Sequence, residues 1–379
     1  MAEASTSFKA GLQDVIAGES SICFIDGNKG ILSYRGLNIH TLAPNASFEE
    51  VAHLLWFGRL PKKQEFEALK QKLAEARGTL PPEVVSFLRG LPKGTNPMDM
   101  LRTAASLLGQ SDPDAADMSE EANVRKAIRL TGQMATIVAA FHRIRIGEQP
   151  LTADKDLNHA GAFLQMLTGK RPGPTAQRTM DIALVLHADH ELNASTFAAR
   201  VTAATLADMH SAVVSGIGAL KGPLHGGANE AVMKLLLTFP DAATALAKVQ
   251  QMLAEKKKIS GFGHRVYTTE DPRATHLRKM SEALGREMNE MKWFEISSTI
   301  EEYIKKEKHL NANVDYYSAS AYYVMGIPVD LFTPIFAVSR ISGWTAHILE
   351  QYRNNRLIRP RAEYTGPADG QAWVPIEQR

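Results

Sequence analysis

Signals for the start of an α-helix recur through most of the chain after residue 35. Ser47 and Glu50 have the spacing of a capping box, in which each side chain accepts the other residue's backbone N–H. Ser195 precedes a segment with helical periodicity and is predicted to cap it, and a longer helical segment begins at Ser119. The sequence therefore predicts that helices form most of the fold.

Strand signals are confined to residues 22–35. Apolar and polar residues alternate there on both sides of Asp26-Gly27, a dipeptide typical of tight turns between strands. The predicted fold class is therefore mainly α, an all-helical two-domain architecture with one small N-terminal β-hairpin.

The length of the chain and a change of composition along it predict two domains. A chain of 379 residues exceeds the size of a typical single domain. Residues 228–310 are rich in charge, and their helical segments have one apolar stripe, as in a smaller and more exposed domain. From about residue 318 the chain is apolar and aromatic again. We therefore expect a large domain of residues 1–221 and 321–379 and a small domain of residues 222–320.

Composition and charge argue against several classes of protein. The formal net charge of +2 is too small to predict a nucleic-acid binder. Cys23 is the only cysteine, so no disulfide forms within one chain, and a reducing compartment fits. The sequence has no run of 18 uncharged apolar residues and no apolar signal-peptide core. We expect a cytoplasmic protein that does not span a membrane.

Two histidines lie beside glycines instead of on a periodic apolar face. His225 stands in GPLHGGAN and His264 in SGFGHRVY, where glycine lets the backbone approach a ligand. Because His225 comes just before a predicted helix, the positive end of the helix dipole disfavours its protonated form. A neutral imidazole there can donate a hydrogen bond to a carbonyl oxygen. The alternative for each histidine is a structural role.

A carboxylate and several arginines also suggest chemistry. Asp315 stands in the otherwise apolar segment NVDYYSA, where burial raises a carboxyl pKa toward that of a useful base; a helix N-cap is the alternative. Arginine forks such as those of Arg273, Arg340 and Arg359 bind carboxylates through paired hydrogen bonds. Together with His190, these arginines predict a site for a substrate that has two or more carboxylates.

A run of three lysines, Lys256, Lys257 and Lys258, ends a predicted helix. A solvated face that complements the helix dipole is the simpler interpretation. The run also comes shortly before His264, so a phosphate group of a substrate is the other possible partner.

The sequence leaves two other functional classes as alternatives, a metal hydrolase and a helical scaffold. HADHE at 187–191 contains metal-ligand residue types, and helical spacing puts His187 and His190 on one face, but a third strong ligand at fixed spacing is missing. A metal hydrolase built on this segment and His264 is therefore the weaker alternative, and we expect no metal. A helical scaffold without catalysis is another alternative, which the glycine-flanked histidines and Asp315 oppose.

Five motifs in order along the chain resemble those of the citrate synthases. They are GPLHGGANEAV, GFGHRVYTTEDPR, NVDYYSA, LFTPIFAVSRISGW and NRLIRPRAEYTG, and the resemblance runs from about residue 20 to the C-terminus. It implies a two-domain helical acyltransferase that condenses acetyl-CoA with oxaloacetate and water to form citrate, at the entry to the tricarboxylic acid cycle. Acetyl-CoA is then a substrate, and no cofactor is expected.

The resemblance also implies a role for each matching residue. His225 matches the histidine that bonds the thioester carbonyl of acetyl-CoA, and Asp315 matches the base that takes a methyl proton. His264 matches the histidine at the ketone of oxaloacetate. The residues that match ligands of the oxaloacetate carboxylates are His190, Arg273 and Arg340.

The resemblance further implies a homodimer formed by the large domains. Arg359 matches an arginine that is donated to the other subunit's site, although the nearby Arg361 could exchange roles with it. The residues proposed for the phosphates of CoA are Lys256, Lys257, Lys258, Arg265 and Arg353.

The related 2-methylcitrate synthases, which use propionyl-CoA with the same catalytic residues, are the nearest alternative. The chain shares the stretch NAST with them. Leu224, His187 in HADH, and RAEYTG after Pro360 are more similar to the citrate enzymes. Because some compact enzymes of this kind accept both acyl groups, the acyl preference stays open.

Overall fold

Helices dominate the computed structural model, which describes residues 9–12, 15–78 and 80–379. The helices of these residues are α1 Ile39–Asn45, α2 Phe48–Phe57, α3 Lys63–Arg77, α4 Pro82–Gly90, α5 Pro97–Ser111, α6 Glu120–Arg145, α7 His159–Thr168, α8 Pro174–His187, α9 Ala194–Ala203, α10 Met209–Leu220, α11 Ala228–Leu236, α12 Ala242–Ala254, α13 Ala274–Glu287, α14 Met291–Lys308, α15 Val314–Val324 and α16 Phe332–Arg353. Within the described ranges, no helix has the length and apolar character to cross a membrane. The mainly α prediction is confirmed.

The predicted N-cap is correct for α2 and wrong for α9. Ser47 and Glu50 form both bonds of the capping box at α2. The prediction that Ser195 caps the next segment is wrong, because Asn193 caps α9 and accepts the N–H of Thr196 at 3.1 Å. Ser195 therefore lies in the first turn of α9, where its own N–H is one of those that have no partner within the helix.

The N-terminal sheet has three antiparallel strands in the order β1 Cys23–Asp26, β2 Ile31–Tyr34 and β3 Leu37–Asn38. Asp26 pairs with Ile31, so the turn spans residues 27–30. Gly30, with a φ of 63°, is the turn glycine in the left-handed region. The predicted hairpin is confirmed, and its third strand has only two residues, too few to produce an alternating pattern.

One group of helices surrounds α16, which is buried along nearly its whole length. It packs against α2, α6, α8, α9 and α10. The indole Nε1 of Trp56 donates to Thr345 Oγ1 at 2.9 Å, so the buried polar atoms at this contact are paired. Because other helices surround α16, nearly all of its residues are buried, which agrees with the largely apolar sequence after residue 318.

A second group of helices comprises α11 to α15. α12 packs on α14, while α11 and α13 pack on α15. α13 also contacts α8, which joins this group to the first. The predicted boundary at residues 221–222 falls directly after α10, whereas the one at 320–321 falls inside α15. The division into two domains at these positions stays a prediction.

Candidate active site

The side chains selected from the sequence lie where the two groups of helices meet. His190 follows α8, His225 precedes α11, His264 precedes α13, and Asp315 is in the first turn of α15. The ring centroids of His190 and His264 are 5.3 Å apart. Burial lowers the pKa of His190 well below its usual value, and the nearby Arg273 and the other two histidines add to this effect. These residues therefore form one cluster.

The first turn of α9 holds the His225 ring. Ser195 donates its backbone N–H to His225 Nε2 at 3.3 Å, and Ser195 Oγ lies 2.8 Å from the same nitrogen. Since an N–H already points at Nε2, this nitrogen is the acceptor and the proton of the neutral ring is on Nδ1. Burial, reinforced by the charge of Arg340, lowers the pKa of His225 to about 4. His225 is thus a neutral donor through Nδ1.

The helix N-terminus that contacts His225 belongs to α9, not to α11, which directly follows the histidine. Trp344 Nε1 donates to Ser195 Oγ at 3.0 Å and fixes the hydroxyl beside the ring. A histidine at this positive end of a helix is disfavoured as a cation. Ser195 was missed as a site residue because a serine before a helical segment is ordinarily a cap.

His264 has the opposite tautomer. Its Nδ1 accepts the N–H of Val266 at 3.0 Å and that of Tyr267 at 3.3 Å, so the proton of the neutral ring is on Nε2. Burial and the nearby Arg273 lower the pKa of His264 to about 4. Arg273 Nη2 lies 3.4 Å from Nε2. Two donors that face each other in this way can share one acceptor oxygen of a ligand.

A buried ion pair, Asp271 with Arg273, connects the segment after His264 to α15. The carboxylate accepts from Nε and Nη2 of Arg273, each at 2.9 Å, and from the N–H of Val314 at 3.0 Å. Burial by itself would raise the pKa of Asp271, but Arg273 holds it below its usual value. Asp271 was missed as a site residue, although its place two residues before Arg273 in EDPR was the available signal.

Arg340 is a buried cation with an unused donor. Its Nε donates to the backbone oxygen of His187 at 2.7 Å, whereas its Nη1 is buried and has no hydrogen-bond partner among the residues that the structure describes. Burial lowers the pKa of Arg340 to about 10, which still leaves it charged at neutral pH. A buried cationic N–H without a partner fits an anionic ligand oxygen, such as that of a carboxylate.

Asp315 has the environment of a base. Asn313 accepts the N–H of Asp315 at 3.1 Å and is the cap of α15, so the N-cap alternative for Asp315 is wrong. Burial raises the pKa of Asp315 to about 6, with Arg273 opposing this shift and Asp271 adding to it. An ionised carboxylate with this pKa accepts a proton far more readily than an ordinary aspartate does.

The remaining residues that were predicted for substrate binding are exposed to solvent. They are Lys256, Lys257, Lys258, Arg265, Arg353, Arg359 and Arg361. Arg353 donates to Glu120 Oε1 at 2.7 Å, so its guanidinium is engaged at the end of α16. Arg359 and Arg361 lie in the extended segment that follows α16. The structure does not bring these residues into the histidine cluster of their own chain.

The side chains of HADHE turn to different partners. His187 Nδ1 donates to the backbone oxygen one turn earlier in α8 at 2.7 Å, while Asp189 Oδ2 lies 3.2 Å from His347 Nε2. His190 Nε2 lies 3.1 Å from the hydroxyl of Tyr267. These contacts do not direct the three side chains to a common point, so they favour a carboxylate-binding site over the metal hydrolase.

The cluster borders a cavity of about 250 Å³, lined among others by His264, Asp271 and Asn313. A larger cavity of about 790 Å³ lies against α3 and residues 152–157. We place the functional site beside the smaller cavity because two cluster residues line it: His264, whose pKa is lowered, and Asp271, the carboxylate of the buried ion pair.

Comparisons with known proteins identify chains that are similar over nearly the full length of this one. Residues 11–361 match the family model for the C-terminal domain of citrate synthase. "Citrate synthase 2" of Bacillus subtilis is 53% identical over 97% of this chain and 98% of that protein. A "2-methylcitrate synthase" of Shewanella oneidensis is 41% identical over 100% of both chains.

Solved structures show the same fold. The crystal structure of citrate synthase from Pyrobaculum aerophilum has a TM-score of 0.90 and 42% identity, covering 97% of this chain and 95% of that one. A ternary complex of citrate synthase from Thermoplasma acidophilum with carboxymethyl coenzyme A and oxaloacetate has a TM-score of 0.89 and 33% identity, covering 98% of this chain and 100% of that one.

We expect Asp271→Asn to lower the free energy of unfolding by about 3–5 kcal/mol, because it leaves the buried cation of Arg273 without its counter-charge. Denaturant unfolding at fixed protein concentration measures the change. The matched control is Glu282→Gln, which breaks the exposed pair with Arg286 (2.7 Å) and should cost no more than about 0.5 kcal/mol. Equal effects of the two substitutions would contradict the prediction.

Proposed function

Because the chain belongs to the citrate synthase family, we propose that it condenses acetyl-CoA with oxaloacetate and water to form citrate and CoA, the reaction that enters the tricarboxylic acid cycle. One observation carries the proposal: two neutral histidines of opposite tautomer share a cluster with a carboxyl group of raised pKa. The reaction requires a base and two hydrogen-bond donors that act without charge.

The first step is removal of a methyl proton from acetyl-CoA. Such a proton is weakly acidic, so a base and an electrophile must act together. The Asp315 carboxylate takes the proton, and His225 donates its Nδ1–H to the thioester oxygen on which negative charge develops. Because the pKa of His225 is about 4, the ring works as a neutral donor and the enol is not held by a permanent cation.

The second step forms the carbon–carbon bond. Arg273, Arg340 and His190 hold the carboxylates of oxaloacetate, with the unpartnered Nη1 of Arg340 as one donor. His264 donates its Nε2–H to the ketone oxygen as the enol carbon attacks the ketone carbon, and that oxygen becomes the hydroxyl of citryl-CoA. Water then cleaves the thioester, which releases CoA and leaves citrate.

The position of the cluster between two groups of helices supports exclusion of water during these steps. Closure of one group over the other would shield the enol from solvent. The phosphates of CoA would then lie outside, where Lys256, Lys257, Lys258 and Arg265 are exposed. Arg353, which is already engaged with Glu120, is the weaker partner for them.

We also propose that the protein is a cytoplasmic homodimer in which Arg359 completes the partner's site. Residues after α16 expose large apolar side chains, with Tyr364 76%, Trp373 77% and Ile376 71% exposed. Exposed apolar groups of this size are typical of segments that pack on another molecule. The single cysteine, buried Cys23, supports a reducing compartment.

An assay of thiol release with oxaloacetate and either acetyl-CoA or propionyl-CoA tests the proposed reaction. We expect release of CoA to depend on oxaloacetate and kcat/KM to be higher with acetyl-CoA. A preference for propionyl-CoA would instead support the 2-methylcitrate synthase alternative, which the relative at 41% identity keeps open. No release with either substrate would overturn the proposal.

Asp315→Asn should keep the fold and lower kcat by roughly 10²–10⁴-fold, because it removes the base and keeps the shape of the side chain.

In the wild type, kcat/KM should fall about tenfold per pH unit below about pH 6, since protonated Asp315 cannot accept a proton. The histidines stay neutral down to about pH 4 and do not produce this limb. The assignment of Asp315 as the base would be refuted if the fall in kcat/KM began only near the ordinary pKa of aspartate, or if Asp315→Asn had a near-normal rate.

Mixing two inactive variants tests whether active sites are shared. If Arg359 acts in the partner's site, refolded 1:1 mixtures of Arg359→Ala and Asp315→Asn contain heterodimers with one intact site, and about a quarter of wild-type activity returns. Arg361→Ala in place of Arg359→Ala shows which arginine complements. Absence of recovery from both mixtures would exclude sharing through this segment.

A further inference from the structure

The turn between β1 and β2 lies directly against the segment that follows His264. Thr268 donates its backbone N–H to the carbonyl oxygen of Gly27 at 3.1 Å. The hydroxyl of Thr268 also donates to Asn28 Oδ1 at 3.0 Å. The turn belongs to the predicted large domain and Thr268 to the predicted small domain. These bonds therefore join the two predicted domains beside the histidine cluster.

The position of Gly27 has no room for a side chain. A Cβ atom there would lie 2.1 Å from the carbonyl oxygen of Val266 and 2.8 Å from its carbonyl carbon. The φ of Gly27 is not positive, unlike that of Gly30, so the turn itself does not require glycine at position 27. The close approach of the Val266 backbone is what requires it.

The backbone that Gly27 contacts also orients the catalytic ring. The N–H of Val266 donates to His264 Nδ1 at 3.0 Å, and that bond fixes the tautomer with the proton on Nε2. The carbonyl of the same residue is the group that packs on Gly27. A shift of Val266 by about 1 Å would tilt the imidazole, and displacements of this size can reduce rates by about 100-fold.

Position 30 of the turn also lies close to the same segment, although less closely than position 27. A Cβ atom at Gly30 would lie 3.0 Å from the carbonyl oxygen of Glu270. The contact surface on the small-domain side therefore extends from Val266 to Glu270, with Thr268 bonded at its centre. Contact at both ends and hydrogen bonds between them define one position of this segment relative to the turn.

We propose that the turn of residues 27–30 is a dock for residues 265–270, and that Gly27, Asn28 and Thr268 are positioning residues for His264. The role of His264 at the ketone of oxaloacetate rests on the proposed function, whereas the docking contact does not. Docking brings the strand turn of one predicted domain and the histidine segment of the other into the geometry that the condensation needs.

The first test compares Gly27→Ala with Gly94→Ala. Gly94 has no atom within 4 Å of an added Cβ and no positive φ, so it is a matched control. Hydrogen–deuterium exchange measures how well the backbone amides of residues 265–270 are protected by the docking contact, independently of activity. We expect faster exchange of residues 265–270 in Gly27→Ala only. We also expect kcat/KM for oxaloacetate to fall about 10–100-fold at a temperature where both variants are folded.

The second test is a double-mutant cycle with Asn28→Ala and Thr268→Val. The substitution at position 268 removes the threonine hydroxyl and keeps the backbone N–H that bonds to Gly27. If the side chains act through their shared hydrogen bond, each variant lowers kcat/KM about threefold to tenfold and the double variant lowers it no further. Effects that multiply would show that the two residues act independently and would overturn their part in the dock.

The outcomes separate the dock from the proposed function. Exchange in Gly27→Ala that equals the wild type would overturn the dock. Faster exchange with normal kinetics would overturn the positioning of His264. A wild type that releases no CoA, in which Gly27→Ala still exchanges faster at 265–270, would refute the proposed function and support the docking contact.

Discussion

The buried pair of Asp271 and Arg273 is the interaction on which the rest of the site depends. One carboxylate binds the guanidinium twice and also accepts the N–H of Val314, the first residue of α15. It thereby sets the distance between the segment that carries His264 and the helix that carries Asp315. The same carboxylate supplies negative charge that helps to raise the pKa of Asp315. This ion pair thus sets the geometry between the two segments, while its two charges shift the pKa of Asp315 in opposite directions.

Hydrogen bonds from backbone N–H groups decide what the two glycine-flanked histidines can do. Ser195 directs its N–H to Nε2 of His225, and Val266 directs its N–H to Nδ1 of His264. Each ring therefore presents its remaining N–H as a neutral donor, while positive charge is left to the arginines. In the proposed reaction, this separation lets the histidines stabilise the charge that develops in the transition state, while the arginines bind the permanent charge of the carboxylates.

The helical class, the capping box at Ser47 and the cluster residues could be predicted because each depends on local spacing or on a specific motif. The contacts that join distant parts of the chain could not. Ser195 resembles a cap locally, and only the fold turns its N–H to a histidine 30 residues away. Gly27 resembles a turn glycine, and only the fold brings Val266 against it. The local sequence around Ser195 and Gly27 does not identify the residues that they contact, because those contacts come from distant parts of the chain.

The Nη1 of Arg340, which is buried without a hydrogen-bond partner among the described residues, has a thermodynamic consequence for the fold. A buried cationic donor without an acceptor costs free energy, so the folded state without ligand is less stable than its packing alone would make it. Any dianion that supplies the missing oxygen stabilises the folded state by mass action. If the site binds a dicarboxylate as proposed, the resistance of this protein to unfolding is expected to rise with the concentration of that ligand.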